Sequence, residues 1–389
     1  VSRYLEILFV AFRLGLTSFG GPVAHLGYFQ NEYVERRNWL TNQMYADLIA
    51  LCQFLPGPAS SQVGISIGIL RGGILGGILA WIGFTLPSVI ALTVFAYYVV
   101  TYDLGQNVFI DALKVVAVAV VAHAIFNMGT KLAPDRKRQG LLVFSAVILL
   151  LFPFASVQII ILLVAALVGA FLLTEHSQPN TDQSLFQLPK KVSAISLSLF
   201  VGLLAILPIL NSIFNNIYLQ IADTFYRVGS IVFGGGHVVL PLLERELVPD
   251  NLVTDELFLA GYGAAQAVPG PLFTFASYLG TVIHGIPGML LATIAIFLPS
   301  FLLIIGILPF WQKLRSIPYV GTGLLGVNAA VVGILIATFY QPIFVTGVSS
   351  ALDFAVALFS FALLQFYKQP AWLVVIVTVV VYVVTSSIF

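Results

Sequence analysis

The chain has 389 residues, 59% of them hydrophobic and only 8% charged, with a formal net charge of +1. Soluble domains carry about 25% charged residues, so a soluble globular protein is excluded and a multi-pass membrane protein in contact with the lipid bilayer is indicated. Mean hydropathy is +1.03, and the near-neutral charge gives no reason to expect a nucleic-acid partner.

Apolar runs of about twenty residues, long enough to cross a bilayer, occur at 73–102, 108–128, 192–210 and 372–389. No cleavable secretory signal is expected. Cys52 is the single cysteine, which excludes an intramolecular disulfide and a thiolate metal cluster. It reads as a small buried apolar residue.

Residues 3–19 form an apolar helix ending at Gly20-Gly21-Pro22. A shorter, more polar segment, 23–34, is closed by Glu35-Arg36-Arg37. Arms 42–55 and 59–70 flank Pro56-Gly57-Pro58. As helix each arm is about 20 Å long, short for a full span. A helix over 73–102 contains Pro87, and a span over 108–128 follows the turn 103–107. The charged loop 131–138 leads to apolar pieces 141–152 and 157–173, separated by Pro153. Residues 174–191 are polar and carry Pro179 and Pro189, a linker composition. Segment 192–210 is an additional span. The pattern then returns: 218–233 ends at Gly234-Gly235-Gly236, and 237–248 contains Glu244-Arg245-Glu246. Arms 256–268 and 272–283 flank Pro269-Gly270-Pro271. Segments 288–311, with Pro299, and 319–340, 352–366 and 372–389 close the chain.

The duplication is visible residue by residue. An offset of 214 aligns Arg13 with Arg227, Gly15 with Gly229, Phe19-Gly20-Gly21 with Phe233-Gly234-Gly235 and Glu32 with Glu246. An offset of 213 aligns Thr41 with Thr254, Gln53 with Gln266 and the two Pro-Gly-Pro motifs. An offset of 212 aligns Leu86-Pro87-Ser88 with Leu298-Pro299-Ser300. The expected organisation is a first repeat over 1–175, a linker with an additional helix over 176–211, and a second repeat over 212–389.

Lysine and arginine concentrate in cytoplasmic loops. The loop at Asp103 has no positive charge and the loop 131–138 has four, whereas 312–318 carries Lys313 and Arg315 and 341–350 carries none. Arg36, Arg37 and Arg71 mark one hairpin base; Glu244, Glu246, Asp250, Asp255 and Glu256 mark its equivalent. The fold class expected is therefore an all-α polytopic membrane protein. Its two homologous halves form an inverted-topology repeat with broken or re-entrant helices, as in alternating-access carriers.

Arg13 and Arg227 lie in apolar segments. A charge at mid-membrane costs roughly 2.5–3.5 kcal/mol on insertion scales, so each is a functional candidate. Each precedes its Gly-Gly break by two helical turns, about 10 Å. Snorkelling, or pairing with Glu6, Glu32 or Glu246, is the competing reading. Broken backbone at membrane depth is tolerated where it lines a cavity, and the arm after each break offers orphan N–H groups that suit an anion. Ser60, Ser61 and Gln62 follow the first break and Thr274 follows the second. Gly20, Gly21, Gly57, Gly234, Gly235 and Gly270 permit close backbone approach, and Gln53 and Gln266 can donate to substrate oxygens. The competing reading of the breaks is close helix crossing. His25, His237, Glu32 and Glu246 are coupling candidates. Asp47, Asp111 and Lys114 are further candidates, the last two placed to pair with each other. No metal-ligand cluster or cofactor motif is present, which favours a small oxyanion over a cation.

Phe19-Gly20-Gly21-Pro22, Gln53-Phe54-Leu55-Pro56-Gly57-Pro58 and their second-half echoes resemble the chromate ion transporter family in its two-half form. One departure is Gly234-Gly235-Gly236-His237, without the proline found at Pro22. The resemblance implies a prokaryotic inner-membrane, multi-pass carrier that exports chromate, confers chromate resistance and is competed by sulfate. An inward or exchanging carrier of sulfate or another anion, and an anion channel, are the alternatives; an enzyme is not expected. Oligomeric state is left open, a homodimer being one option.

Overall fold

The computed structural model describes residues 2–19, 21–102, 108–173, 189–233, 238–311 and 318–386. Among them every regular element is helical. In chain order the main helices are α1 (Arg3–Thr17), α2 (Gly21–Phe29), α3 (Asn42–Phe54), α4 (Ala59–Thr101), α5 (Val108–Leu132), α6 (Arg136–Leu151), α7 (Ala155–Leu172) and α8 (Lys190–Phe214). They continue with α9 (Ile217–Ile231), α10 (Val239–Leu247), α11 (Asp255–Ala267), α12 (Phe275–Ile307), α13 (Pro318–Thr338), α14 (Ala351–Gln365) and α15 (Ala371–Thr385). The repeat offsets hold at the level of helix ends. α1 and α9 begin and end 214 residues apart, and α3 and α11 begin and end 213 apart. Local chemistry explains the match. Thr41 and Thr254 cap α3 and α11, accepting from the Met44 and Leu257 N–H groups, and an uncapped helix start leaves such donors unsatisfied.

The chain forms two compact units. One contains Val1–Thr93, His176–Val239 and Pro269–Ile317; the other contains Val94–Glu175, Leu240–Val268 and Pro318–Phe389. Each draws on both halves of the sequence. In the first unit, α12 packs on α8 and α9. The additional helix α8 exposes Ile195, Leu199, Ile206, Ile209 and Ile213, a face suited to lipid rather than water. In the second unit, α11, α14 and α15 pack on α5, while α13 packs on α6 and α7. The expected pairing of Asp111 with Lys114 forms at 2.6 Å. Five segments, starting at Ala59, Val108, Lys190, Leu272 and Gly321, are long and apolar enough to cross a membrane.

α4 is not one rod. Gly72 and Gly73 leave helical geometry, and His284 and Gly285 do the same in α12. The chain folds back at each break. Gly68 lies against Gly76 and Ala80, and Gly280 against Gly288 and Ala292, spacings that only an antiparallel hairpin produces. Small residues let the two backbones approach this closely. A Cβ on Gly280 would meet the Gly288 carbonyl and lie 2.8 Å from Ala292 Cβ. Gly280→Ala is therefore expected to destabilise the protein by about 1–3 kcal/mol through overpacking. Gly140→Ala is the control, since nothing lies within 4 Å of that position. Thermal unfolding in detergent should separate the two; equal midpoints would remove the hairpin's tight packing as a stabilising feature.

Candidate functional site

The first unit brings the two Pro-Gly-Pro breaks into reciprocal contact with the opposite repeat. Gly57 N–H donates to the Val232 carbonyl at 2.7 Å, and Gly270 N–H donates to the Ser18 carbonyl at 2.9 Å. Val232 and Ser18 are themselves repeat equivalents, each the residue just after its helix, α9 or α1. Gly57 has φ +120° and Gly270 φ +98°, a region costly for residues with a Cβ. The prolines that flank them offer no N–H, so these glycines supply the donors. Ser88 donates to the Pro269 carbonyl. The Pro56 carbonyl instead accepts from Gln62 Nε2 at 2.6 Å, and Ser300 Oγ lies 3.4 Å from the same nitrogen. Ser88 and Ser300 had no role in the sequence reading, although their shared offset was visible.

The arm after each break is short. Residues 59–71 rise about 20 Å as helix, too little for a hydrocarbon core near 30 Å. The ends of the first hairpin also meet. Arg37, before α3, and Arg71, at the end of the arm, grip the same Glu6 carboxylate at 2.8 and 3.2 Å. Segment 38–70 therefore returns to the end from which it started. In the second repeat, His284 lies 3.0 Å from the Tyr218 hydroxyl at the start of α9. Tyr4, its repeat equivalent, lies beside Gly72.

Glu32 and Glu6 organise that base. Glu32, with a side chain only 5% exposed, pairs with Arg13, with Arg36 at 3.1 Å and with Arg37 at 2.6 Å. Arg71 and Arg37 also face the Trp39 ring. Arg13 thus takes one of the partners foreseen for it. Arg227 pairs with Asp223 at 3.1 Å, one turn earlier on α9; that i, i+4 spacing was readable but was not used.

The first break is more polar than the second. Ser60, Ser61 and Gln62 are all buried. Their repeat equivalents are Phe273, Thr274 and Phe275. Thr274 donates its hydroxyl to the Pro271 carbonyl at 2.7 Å, within its own break. Ser61 Oγ and Gln62 Oε1 at the first break, His25 Nε2 on α2, and Ser18 Oγ, whose backbone carbonyl holds the second break, are buried and make no hydrogen bond. His25 Nδ1 lies 3.3 Å from Ser60 Oγ, and the ring sits beside the Ser18 backbone. Buried polar atoms are normally hydrogen-bonded, so four exceptions along these neighbouring segments point to a ligand or water site. A Ser60 hydroxyl donating to Nδ1 would leave the proton on Nε2 as a donor, and the other tautomer makes Nε2 an acceptor.

The other expected residues are dispersed. Gln53 is exposed. Gln266 belongs to the second unit, where its buried Nε2 makes no hydrogen bond. Gly21 opens α2. Glu246 is half-buried on α10. Gly20, Gly234, Gly235 and His237 lie outside the described residues.

Apolar spanning helices, two repeated hairpins and a polar break buried among them define a multi-pass membrane transporter built from two halves. The chain belongs to the chromate transporter family, whose profile matches residues 5–170 and 219–383. It is 27% identical over 337 residues to the chromate transport protein of Cupriavidus metallidurans, covering 85% of this chain and 80% of that one. The chromate transport protein of Pseudomonas aeruginosa is 28% identical over 339 residues, covering 85% and 79%. An uncharacterized transporter of Methanocaldococcus jannaschii is 27% identical over 341 residues, covering 86% and 83%. No solved structure matches the chain.

Proposed function

We propose that the protein is a secondary carrier of the cytoplasmic membrane that exports chromate, a tetrahedral dianion, and that the first Pro-Gly-Pro break is its anion site. The observation that carries this reading is the set of buried polar atoms without partners at and near that break, Ser61 Oγ, His25 Nε2 and Ser18 Oγ. The N-terminus of the 59–71 arm adds backbone N–H groups and the positive end of a helix dipole. Hydroxyl, imidazole and amide donors suit the oxygens of a desolvated oxyanion, because each hydrogen bond to a charged group is strong. Arg13 and Arg227, each two turns before its Gly-Gly motif in sequence, supply positive potential, each already partly neutralised by a carboxylate. The two relatives named as chromate transport proteins support the substrate class. Sulfate shares the shape and charge of chromate and is the expected competitor.

Export needs no separate fuel if the cell interior is negative. Moving a dianion outward gains about 2.3 kcal/mol per charge per 100 mV. Movement of the first re-entrant hairpin against the rest of its unit would alternate access.

Ser61→Ala removes one donor while leaving the hairpin backbone intact. A hydrogen bond to a charged group contributes about 1.5–3 kcal/mol, so half-saturation for chromate should rise about tenfold or more. Counterflow in proteoliposomes loaded with chromate measures this directly. Unchanged half-saturation in Ser61→Ala and in Ser18→Ala would remove the break as the anion site.

A further inference from the structure

The two repeats place side chains of different chemistry at one equivalent pair of positions. In the first repeat the pair is Gln30 and Asn42, whose amides hydrogen-bond at 3.1 Å. Asn42 is the first residue of α3, directly after the Thr41 cap. In the second repeat the same positions hold Glu244, at offset 214, and Asp255, at offset 213. Asp255 is the first residue of α11, directly after the Thr254 cap. The local architecture is preserved, and both amides have become acids.

The surroundings differ as well. Gln30 and Asn42 are exposed. Glu244 is only 9% exposed, and Asp255 Oδ1 is buried without a hydrogen bond. Two carboxylates close enough for each to feel the other's charge in such a place cannot both stay ionised at low cost, because like charges and burial each disfavour the second charge. A single proton resolves the conflict. It turns the pair into a carboxylic acid donating to a carboxylate, with the same hydrogen-bond pattern that the amides make in the first repeat.

We propose that Glu244 and Asp255 hold one proton between them and form a proton-binding site at the turn joining α10 and α11. The charges around the pair fit this assignment. Burial pushes the Glu244 carboxyl up to about 7, opposed by Arg245 and reinforced by Asp255. Asp255 is pushed up by burial and by Glu256. α10 also carries Glu246, and the turn carries Asp250. Of the helices packed on α11, α5 carries Asp111 and Lys114, which neutralise each other at 2.6 Å. α15 and the short helix Val345–Gly347, which also pack on α11, have no charged residue. Among the described residues Arg245 is the cation that opposes the shift of Glu244, and burial outweighs it. The folded protein binds this proton more tightly than the unfolded chain, so its stability falls as pH rises from the ordinary carboxylate range to about 7.

The consequence for transport rests on the carrier reading. Deprotonation sets two negative charges against each other where α10 meets α11, so proton occupancy biases the position of the second hairpin. The proton site itself does not depend on which anion moves.

The test is infrared difference spectroscopy of the full-length protein in detergent, titrated across neutral pH. The variants are E244Q and the double variant E244Q/D255N, which writes the first repeat's amide pair into the second. Wild type should lose a protonated-carboxyl band as pH rises through about 7, and the double variant should lack that band while remaining folded. Identical difference spectra in wild type and double variant would overturn the proposal. Anion transport by the same preparations is read separately: a flat pH profile in the double variant supports coupling. No transport by any preparation would count against the carrier reading and leave the spectroscopic result intact.

Discussion

Gly57→Ala is expected to abolish anion transport and to lower the yield of folded protein. Three features converge on this residue. Its φ is +120°, a region that holds a non-glycine residue only with strain. An added Cβ would lie 2.6 Å from both Ser300 Oγ and Gln62 Nε2. Its N–H donates to Val232 of the opposite repeat, so any shift that relieves the clash lengthens that bond. Backbone strain of about 1–3 kcal/mol and overpacking of about 1–3 kcal/mol are a large share of a typical stability of 5–15 kcal/mol. Gly270→Ala, with φ +98° and Ser88 Oγ in the way, should behave in the same manner. Transport per folded molecule, measured with membrane abundance, is the readout. Normal rates in both variants would mean that the reciprocal crossing does not position the site.

Glu32→Gln is the second change expected to have a large effect. One carboxylate holds Arg13, Arg36 and Arg37, and its side chain is 5% exposed. Neutralising it leaves three guanidiniums crowded at one base. Breaking a buried ion pair costs about 3–5 kcal/mol, but these arginines are 31–62% exposed and water shares the load, so about 1–3 kcal/mol is expected. Thermal unfolding in detergent should show the loss. Adding Arg13→Gln to Glu32→Gln should cost less than Arg13→Gln alone, because the arginine no longer has its partner. Strict additivity would show that Arg13 and Glu32 are not energetically coupled.

The repeat and the hairpin boundaries were legible because they rest on local chemistry. Proline, glycine and helix-capping threonine act within a few residues, so Thr41, Thr254, Pro56-Gly57-Pro58 and Pro269-Gly270-Pro271 predicted ends that the helices obey. What the sequence did not reveal depends on which segments meet in space. The pairing of Gly57 with Val232 and of Gly270 with Ser18 joins residues from opposite repeats, and no spacing rule reaches that far. The choice of Glu32 for Arg13, among several acids, needed the fold of residues 23–37. Asp223 was within reach of an i, i+4 rule and was missed for Arg227. The polar character of the first break was visible in Ser60, Ser61 and Gln62. That His25 meets the same segment was not, because α2 had first to fold back onto the arm. The pairing of Gln30 with Asn42 escaped notice because twelve positions and a turn separate them, and Glu244 and Asp255 were read only as charges at a hairpin base.

The central claim is that this protein moves chromate outward across the membrane. Accumulation of labelled chromate in energised, everted membrane vesicles tests it most directly, with and without excess sulfate. The account predicts uptake that requires the protein and is inhibited by sulfate. Vesicles of confirmed orientation that take up no more chromate with the protein than without it would contradict chromate export.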